Sequence, residues 1–288
     1  MTVSKRIAIA TCRGNTLAER ADAPLVAALR AVGIEALRVA WDDPSANWTE
    51  FSGVLIRSTW DWHETPANFI RWVQSTAART NVWNDAELVL WSLDKRSLIE
   101  LESRGIPSIP TIALPSQDEL DRFSSPWDDW ILKPAFGATA YRTTRIQSRQ
   151  DLEAWRSENA GFRGPLVAQQ FQPSVLSEGE LSLVFIDGGL SHTVRKRTKS
   201  GDFRVQAEFG GSTTLAECPR EESHLATALL ATLPARPVFC RVDVVRDAIG
   251  QPRTIECELA EPELFFDHKP EAAIALARAV RRRLLGES

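Results

Sequence analysis

The stretch "VFCRVDVVRDAIGQPRTIECELAEPELFF", residues 238–266, decides how the chain is read. Two short apolar runs, 238–245 and 253–259, flank a loop with Asp247 and Gly250, the pattern of an antiparallel strand pair. Alternate side chains of a strand share a face. Arg241 and Asp243 therefore share one face of the first strand, with Val242 and Val244 on the other, and Glu256 and Glu258 share a face of the second. If the hairpin closes about residues 249–250, Asp243 lies opposite Glu256 and Arg241 opposite Glu258. Opposed residues sit roughly 4.5–5.5 Å apart at Cβ, and like charges there repel. Something positive is expected among them, and a hard divalent cation with oxygen ligands suits the set. The competing reading is the solvated outer face of an edge hairpin, where charges alternate outward.

Composition narrows the class. The chain has 288 residues, 43% hydrophobic and 25% charged, as in a soluble globular protein with a sizeable core. At roughly 100–200 residues per domain, two domains or three small ones are expected. A net charge of −4 gives no bulk positive field, so neither nucleic acid nor an anionic membrane is an expected partner. No apolar run approaches the ~20 residues of a membrane span. "MTVSKRIAIATCRGN" turns polar too early for a secretory signal. Cys12, Cys218, Cys240 and Cys257 form no C-x-x-C pair. Reduced thiols in a cytoplasmic enzyme are expected rather than disulfides or zinc.

The first ninety or so residues alternate strand and helix, which argues for a parallel sheet with covered faces. "RIAIA" (6–10), "IEALRV" (34–39) and "GVLIR" (53–57) read as strands. A helix capped by Asp22, with Pro24 in its first turn, is expected to end at Gly33, and a second to span 65–79. No G-x-G-x-x-G follows the first strand, so a dinucleotide site is unsupported. Beyond residue 94 a helix "DKRSLIELESRG" precedes an α+β region. There "WILKPA" (130–135), "PLVAQQF" (165–171), "LSLVFID" (181–187) and "LSHTVRKR" (190–197) read as strands, and Ser148 with Asp151 has capping-box spacing. A last helix is expected from Pro270 to about 285.

"CRVDVVRDAIGQPRTIECEL" resembles the C-terminal metal segment of the ATP-grasp carboxylate–amine ligases, the D-alanine–D-alanine ligase and glutathione synthetase kind. Arg241, Asp243 and Glu256 fall on that family's R-[IV]-D and E-x-N positions, and Glu258 stands where most members have Asn. The resemblance implies an α/β N-terminal parallel-sheet domain over 1–92, followed by an α+β ATP-grasp fold whose two subdomains grip ATP. These would be a small lid subdomain over 93–170 and a C-terminal subdomain with the metal site over 171–288. It also implies ATP and Mg²⁺, with Mn²⁺ able to substitute, and Asp243, Glu256 and Glu258 as metal ligands. No P-loop motif exists. In the family's order, Lys95 and Lys133 would meet the phosphates, and the loop "AFGATA" with Gly137 would cover them. Gln169, Gln170 and Phe171 would read adenine, and Glu180 the ribose. From the basic run 192–211, Lys196 and Arg204 would serve the γ-phosphate and acyl group, with Gln206 where many relatives have Asn.

Ten Trp against one Tyr is an unusual ratio, and most are expected to fill the core. "RSTWDWHETPANF" (57–69), "VAWDDPSANWTEF" (39–51) and the E-x-E-x-x-E-P-x-L-F segment together resemble the small ATP-grasp group that forms D-cycloserine. The resemblance implies closure of O-ureido-D-serine to D-cycloserine through an acyl phosphate, with Arg241 stabilising the tetrahedral intermediate. Arg57, Ser58 and Asp61, at the end of a parallel strand, are expected to contact an amino-acid-like substrate. Asp243→Ala or Glu256→Gln is expected to abolish turnover and leave the fold intact. Two other functions compete: a ligase joining an amino acid to a separate amine, and a nucleotide-binding protein without catalysis. A homodimer is expected by analogy alone.

Overall fold

Four parallel strands open the computed structural model, which describes residues 6–287. They are β1 (Arg6–Thr11), β2 (Glu35–Ala40), β3 (Val54–Ser58) and β4 (Val82–Trp83), in the order β2-β1-β3-β4. Ile7–Ala10 and Val54–Ile56 are wholly buried, as parallel strands covered on both faces must be. Ile7 and Ile9 pack on Leu25 and Leu29 of helix Thr16–Ala31, while Ala8 and Ala10 share the opposite core with Phe69 and Val73 of helix Pro66–Ala77.

The first helix begins earlier than its sequence suggests. Asn15 caps it, its side chain accepting from the N–H groups of Leu17 and Ala18. Asp22 is therefore no cap but a buried carboxylate inside the helix, held by Arg38 Nε at 3.2 Å. Pro24 sits in the interior, where it leaves one helical hydrogen bond unmade.

Next comes an antiparallel sheet ordered β5-β8-β6-β7, from β5 (Thr111–Leu114), β6 (Trp130–Pro134), β7 (Thr144–Ile146) and β8 (Leu166–Gln170). Trp130, Leu132, Leu166 and Ala168 bury one face against Trp155 of helix Arg149–Glu158. Ser148 and Asp151 form the expected capping box of that helix.

A third sheet, wholly antiparallel and ordered β11-β10-β9-β12-β13, holds β9 (Glu180–Ile186), β10 (Gly189–Arg197), β11 (Ser212–Ala216), β12 (Phe239–Arg246) and β13 (Pro252–Glu258). Cys240, Val242 and Val244 face a core shared with helix Arg220–Ala231 and with Leu98 and Leu101. The opposite face of β12 carries Arg241 and Asp243.

The helix expected from residue 94 starts at Ser97, and a separate helix, Ala86–Leu93, precedes it. Between them the chain turns away to pair with the residues that follow β6, where Lys95 N donates to Ala135 O at 2.9 Å. Lys95 thus lies in the junction rather than in a helix.

Contacts far apart in sequence join the first and third sheets. Asn84 Nδ2 donates to Phe239 O and Leu259 O, each at 2.8 Å, and its Oδ1 accepts from Val238 N. Helix Pro270–Leu285 returns to share a core with helix Thr16–Ala31. The strand ends of β3, β12 and β13 are thereby brought to one place.

Candidate active site

The hairpin closes in the expected register: Arg241 pairs with Glu258 and Asp243 with Glu256, and a bulge follows Asp243. Arg241 and Asp243 are buried rather than turned out to solvent. Asp243 accepts from Arg241 Nε at 3.0 Å, from Lys196 Nζ at 2.8 Å and from Ser182 Oγ at 2.6 Å. Lys196 Nζ also bridges to Glu180 at 2.8 Å. Arg241 Nη2 reaches both Asp243 and Glu258, and its Nη1 donates to Glu263 O at 3.2 Å. Four of the five guanidinium hydrogens are engaged this way, leaving one on Nη1 for a ligand. Lys95 Nζ holds Glu256 at 2.5 Å.

Burial opposes the charge of Asp243, but Arg241 and Lys196 hold its carboxyl below the ordinary range. Glu256 is also disfavoured by burial, and Lys95 with Lys133 keeps it down at about 2. Glu258 behaves oppositely: burial first, then Glu256 and Glu261, push it well above the usual range despite Arg241. Burial and the nearby Glu256 push Glu261 up to about 7. The carboxylates therefore outnumber the cations that can serve them. Asp243, Glu256 and Glu258 each place an oxygen within 4.8 Å of the others. A hard cation with oxygen ligands at roughly 2.0–2.6 Å fits that spacing and would relieve the shortage.

This burial changes one expectation about stability. Removing the Asp243 carboxylate takes a buried partner from both Arg241 and Lys196, which keep only Glu258 and Glu180, and should cost about 3 kcal/mol. Asp243→Ala or Asp243→Asn should therefore lower the denaturant midpoint as well as abolish turnover, a loss of stability that the sequence alone did not suggest. An unchanged urea midpoint for Asp243→Asn would refute the ion-pair account.

A cavity of about 730 Å³ opens above the hairpin. Lys95, Lys133, Gly137, Gln169, Gln170, Phe171, Glu180, Lys196, Arg204, Arg241, Glu256 and Glu258 all line it. The Lys133 ammonium has no hydrogen bond or ion pair among the described residues, and burial followed by repulsion from Lys95 lowers it to about 8. Gln169 is buried on β8 with its Nε2 donating to Thr111 Oγ1 at 3.0 Å. Phe171 N donates to Asp129 O at 3.2 Å, so its carbonyl is the backbone group left for a base. Arg204 is tied to Asp202 and stacked 3.6 Å from the Phe209 ring centroid, with no bond to the carboxylate cluster. The loop over the phosphate side bends at Thr139 and Ala140, which take positive φ of 47° and 55°, and not at Gly137.

The substrate triple is not brought together. Arg57 is wholly buried, stacked on Phe239 and Phe266, and its Nη1 donates to Pro262 O at 2.9 Å. Ser58 is sealed between Thr11 and Asp22, with Oγ 2.7 Å and 2.5 Å from their oxygens. Asp61 accepts from Trp41 Nε1 at 2.7 Å beside a separate depression. The strand-end rule pointed to this end of β3, but the 259–266 segment crosses over it and covers Arg57. Two tryptophans read as filler reach the site instead. Trp60 Nε1 donates to Glu261 O at 3.1 Å and Trp62 Nε1 to Glu261 Oε1 at 2.6 Å. Most others do fill the core, Trp48, Trp83, Trp130 and Trp155 among them.

Comparison with known proteins places this arrangement. Residues 7–84 match the family "D-cycloserine synthetase DcsG, N-terminal domain", and residues 105–252 match "Prokaryotic glutathione synthetase, ATP-grasp domain". The chain is 31% identical over 277 residues to the cycloserine biosynthesis protein DcsG of Streptomyces lavendulae, covering 91% of this chain and 93% of that one. A crystal structure of D-cycloserine synthetase DcsG superposes with a TM-score of 0.87 at 28% identity, over 97% of this chain and 99% of that one. The D-alanine–D-alanine ligase of Bacillus anthracis with ATP shares the fold, at a TM-score of 0.69 and 15% identity over 98% and 97% of the two chains. ATP-grasp enzymes use ATP and Mg²⁺ generally. Among the described residues no helix is long and apolar enough to cross a membrane. With its ATP-grasp half and its N-terminal sheet both matched, the chain belongs to the ATP-grasp ligases, in the group of the D-cycloserine synthetases, and is an ATP-dependent carbon–nitrogen ligase.

Proposed function

We propose that this ligase, in the cytoplasm, phosphorylates the carboxylate of O-ureido-D-serine with ATP and closes the acyl phosphate onto the substrate's own ureido nitrogen; phosphate leaves on ring closure, and the carbamoyl group then leaves with one water as carbon dioxide and ammonia to give D-cycloserine. The observation that carries the reading is one cavity that unites Lys95, Lys133 and Arg241 with Glu256 and Glu258, whose oxygens lie within 4.8 Å of Asp243 beneath it, and that the Glu261 segment borders. The similarity to D-cycloserine synthetase over nearly the whole chain supports the choice of substrate.

Residues 171–288 hold the charged floor and residues 93–170 supply the wall that closes on ATP. Gln169, Gln170 and the Phe171 carbonyl take the adenine edge, and Glu180 the ribose. Lys133, held at about 8 without a carboxylate partner, protonates fully when a triphosphate arrives. Lys95 leaves Glu256 for the phosphates, and Glu256 turns to the metal site with Asp243 and Glu258. Asp243, Glu256 and Glu258 would hold Mg²⁺, or Mn²⁺ with the same oxygen preference, which would supply neutralisation of phosphate charge. Transfer of the γ-phosphoryl group is then chiefly positioning and charge neutralisation. The remaining Nη1 hydrogen of Arg241 faces the acyl oxygen as the substrate nitrogen attacks and phosphate leaves. Lys196 acts mainly by keeping Asp243 ionised, since its own bonds are taken by Asp243 and Glu180. Arg204 meets the acyl phosphate only if it leaves Asp202.

Mass spectrometry after incubation with ATP, Mg²⁺ and O-ureido-D-serine tests this reading. The expected result is D-cycloserine with equimolar ADP. ADP formed only when a second amino acid or amine is added would replace ring closure with intermolecular ligation.

A further inference from the structure

Three features of the cavity concern Glu261. Its backbone carbonyl accepts from Trp60 Nε1 at 3.1 Å and its Oε1 from Trp62 Nε1 at 2.6 Å, so both the backbone and one carboxylate oxygen are fixed from the N-terminal domain. Its second oxygen takes no hydrogen bond, and no Lys, Arg or His pairs with it, among the described residues. Of the other carboxylates that line the cavity, Glu208 is exposed to solvent and Asp267 Oδ1 accepts from His268 N at 3.0 Å. Glu180 is bound by Lys196, Glu256 by Lys95 and Glu258 by Arg241, while Glu263 Oε1 accepts from Phe265 N at 2.8 Å. Arg241 Nη1 further holds the segment by donating to Glu263 O at 3.2 Å, and Arg57 does so through Pro262 O at 2.9 Å.

A carboxylate kept half-buried, anchored at one oxygen by a neutral donor and lacking a cation, is built for a cation that the protein does not supply. The amino-acid substrate brings one: its ammonium lies on the carbon next to the carboxylate being activated. We propose that Glu261 receives the ammonium group of the amino-acid substrate, with Trp62 as the positioning residue that fixes its carboxylate. This rests on the reading above of an amino-acid carboxylate as the group phosphorylated. Because ammonium and carboxylate share one carbon, anchoring the first at Glu261 sets where the second meets Lys133 and Arg241. The "TWDW" stretch then has a function beyond packing: residues 60 and 62 carry the N-terminal domain's contribution to substrate recognition.

Steady-state kinetics on Glu261→Gln tests the assignment, since glutamine keeps an oxygen for Trp62 but removes the charge. The readout is the preference for O-ureido-D-serine over the same molecule with hydrogen in place of its amino group. A charge-assisted hydrogen bond of this kind gives the wild type roughly a 10–100-fold preference in kcat/KM. In Glu261→Gln that preference should disappear through a raised KM for the amino acid, with the KM for ATP unchanged and the melting temperature not lowered. Trp62→Phe should weaken the preference in the same direction, by less. A Glu261→Gln enzyme with undiminished preference, or a wild type with none, overturns the proposal. Should the wild type not turn over O-ureido-D-serine, the cyclisation reading fails separately. The same comparison, run as ADP release with D-alanine against propionate, then decides Glu261.

Discussion

Glu256→Gln should retain a cooperative fold and lose turnover by on the order of 10³-fold, or ~4 kcal/mol of transition-state stabilisation. Two properties of Glu256 separate this variant from Asp243→Asn. Its side chain is 33% exposed and, among the described residues, its one ion-pair partner is Lys95, itself at the cavity wall. Losing a partly solvated pair costs about 1 kcal/mol or less, and the amide still accepts from Lys95. The deficit is therefore in oxygen donors for the metal, and it should appear as a loss of Mg²⁺ dependence in nucleotide binding. Binding of ATP without Mg²⁺ should hold or improve, because Lys95 no longer divides its charge between Glu256 and phosphate. Titration calorimetry with and without Mg²⁺ checks both parts, and near-wild-type turnover would contradict the metal assignment.

Lys133→Met should abolish tight ATP binding and raise thermal stability together. A lysine lowered from its ordinary value to about 8 binds its proton less tightly in the folded state than in the unfolded one. Its unfavourable contribution is complete below about 8 and disappears as pH rises through the unfolded value. At pH 7 removing the charge should stabilise the fold by on the order of 1–3 kcal/mol, and melting should occur several degrees higher. The same titration predicts the wild type's nucleotide binding. Lys133 carries its proton at pH 7 and has shed most of it by pH 9, so ATP affinity should decline above pH 8. Lys133→Arg should flatten that decline. Lower stability in Lys133→Met, with unchanged nucleotide affinity, would remove Lys133 from the phosphate site.

Legibility of the sequence followed the range of the interaction. The facing pairs Arg241–Glu258 and Asp243–Glu256 were readable because strand alternation and a short loop are local rules. The bulge after Asp243 was not, since it depends on how β13 meets its neighbours. The N-terminal helix shows two local signals in competition. Asp22 with Pro24 mimics a helix start, but Asn15 captures two N–H groups earlier, and Asp22 is claimed by Arg38 from the neighbouring strand. Lys95 and Lys133 were singled out by family order alone. Nothing near either one reveals that Glu256, more than a hundred residues away, holds Lys95. Arg57 and Ser58 failed for the same reason in reverse. The strand-end rule put them at a ligand edge, and the returning segment with Pro262 and Phe266 converted that edge into core. Trp60, Trp62 and Asn84 carry tertiary bonds that no periodicity encodes, which is why indoles that looked like packing hold Glu261.

The most direct test is a crystal grown with Mn²⁺ and a non-hydrolysable ATP analogue, measured for anomalous scattering. The account predicts a peak bounded by the Asp243, Glu256 and Glu258 carboxylates and the analogue's phosphates, with Lys95 moved from Glu256 onto phosphate. Manganese bound elsewhere, with Glu256 still paired to Lys95 and Glu258 still paired to Arg241, would contradict it.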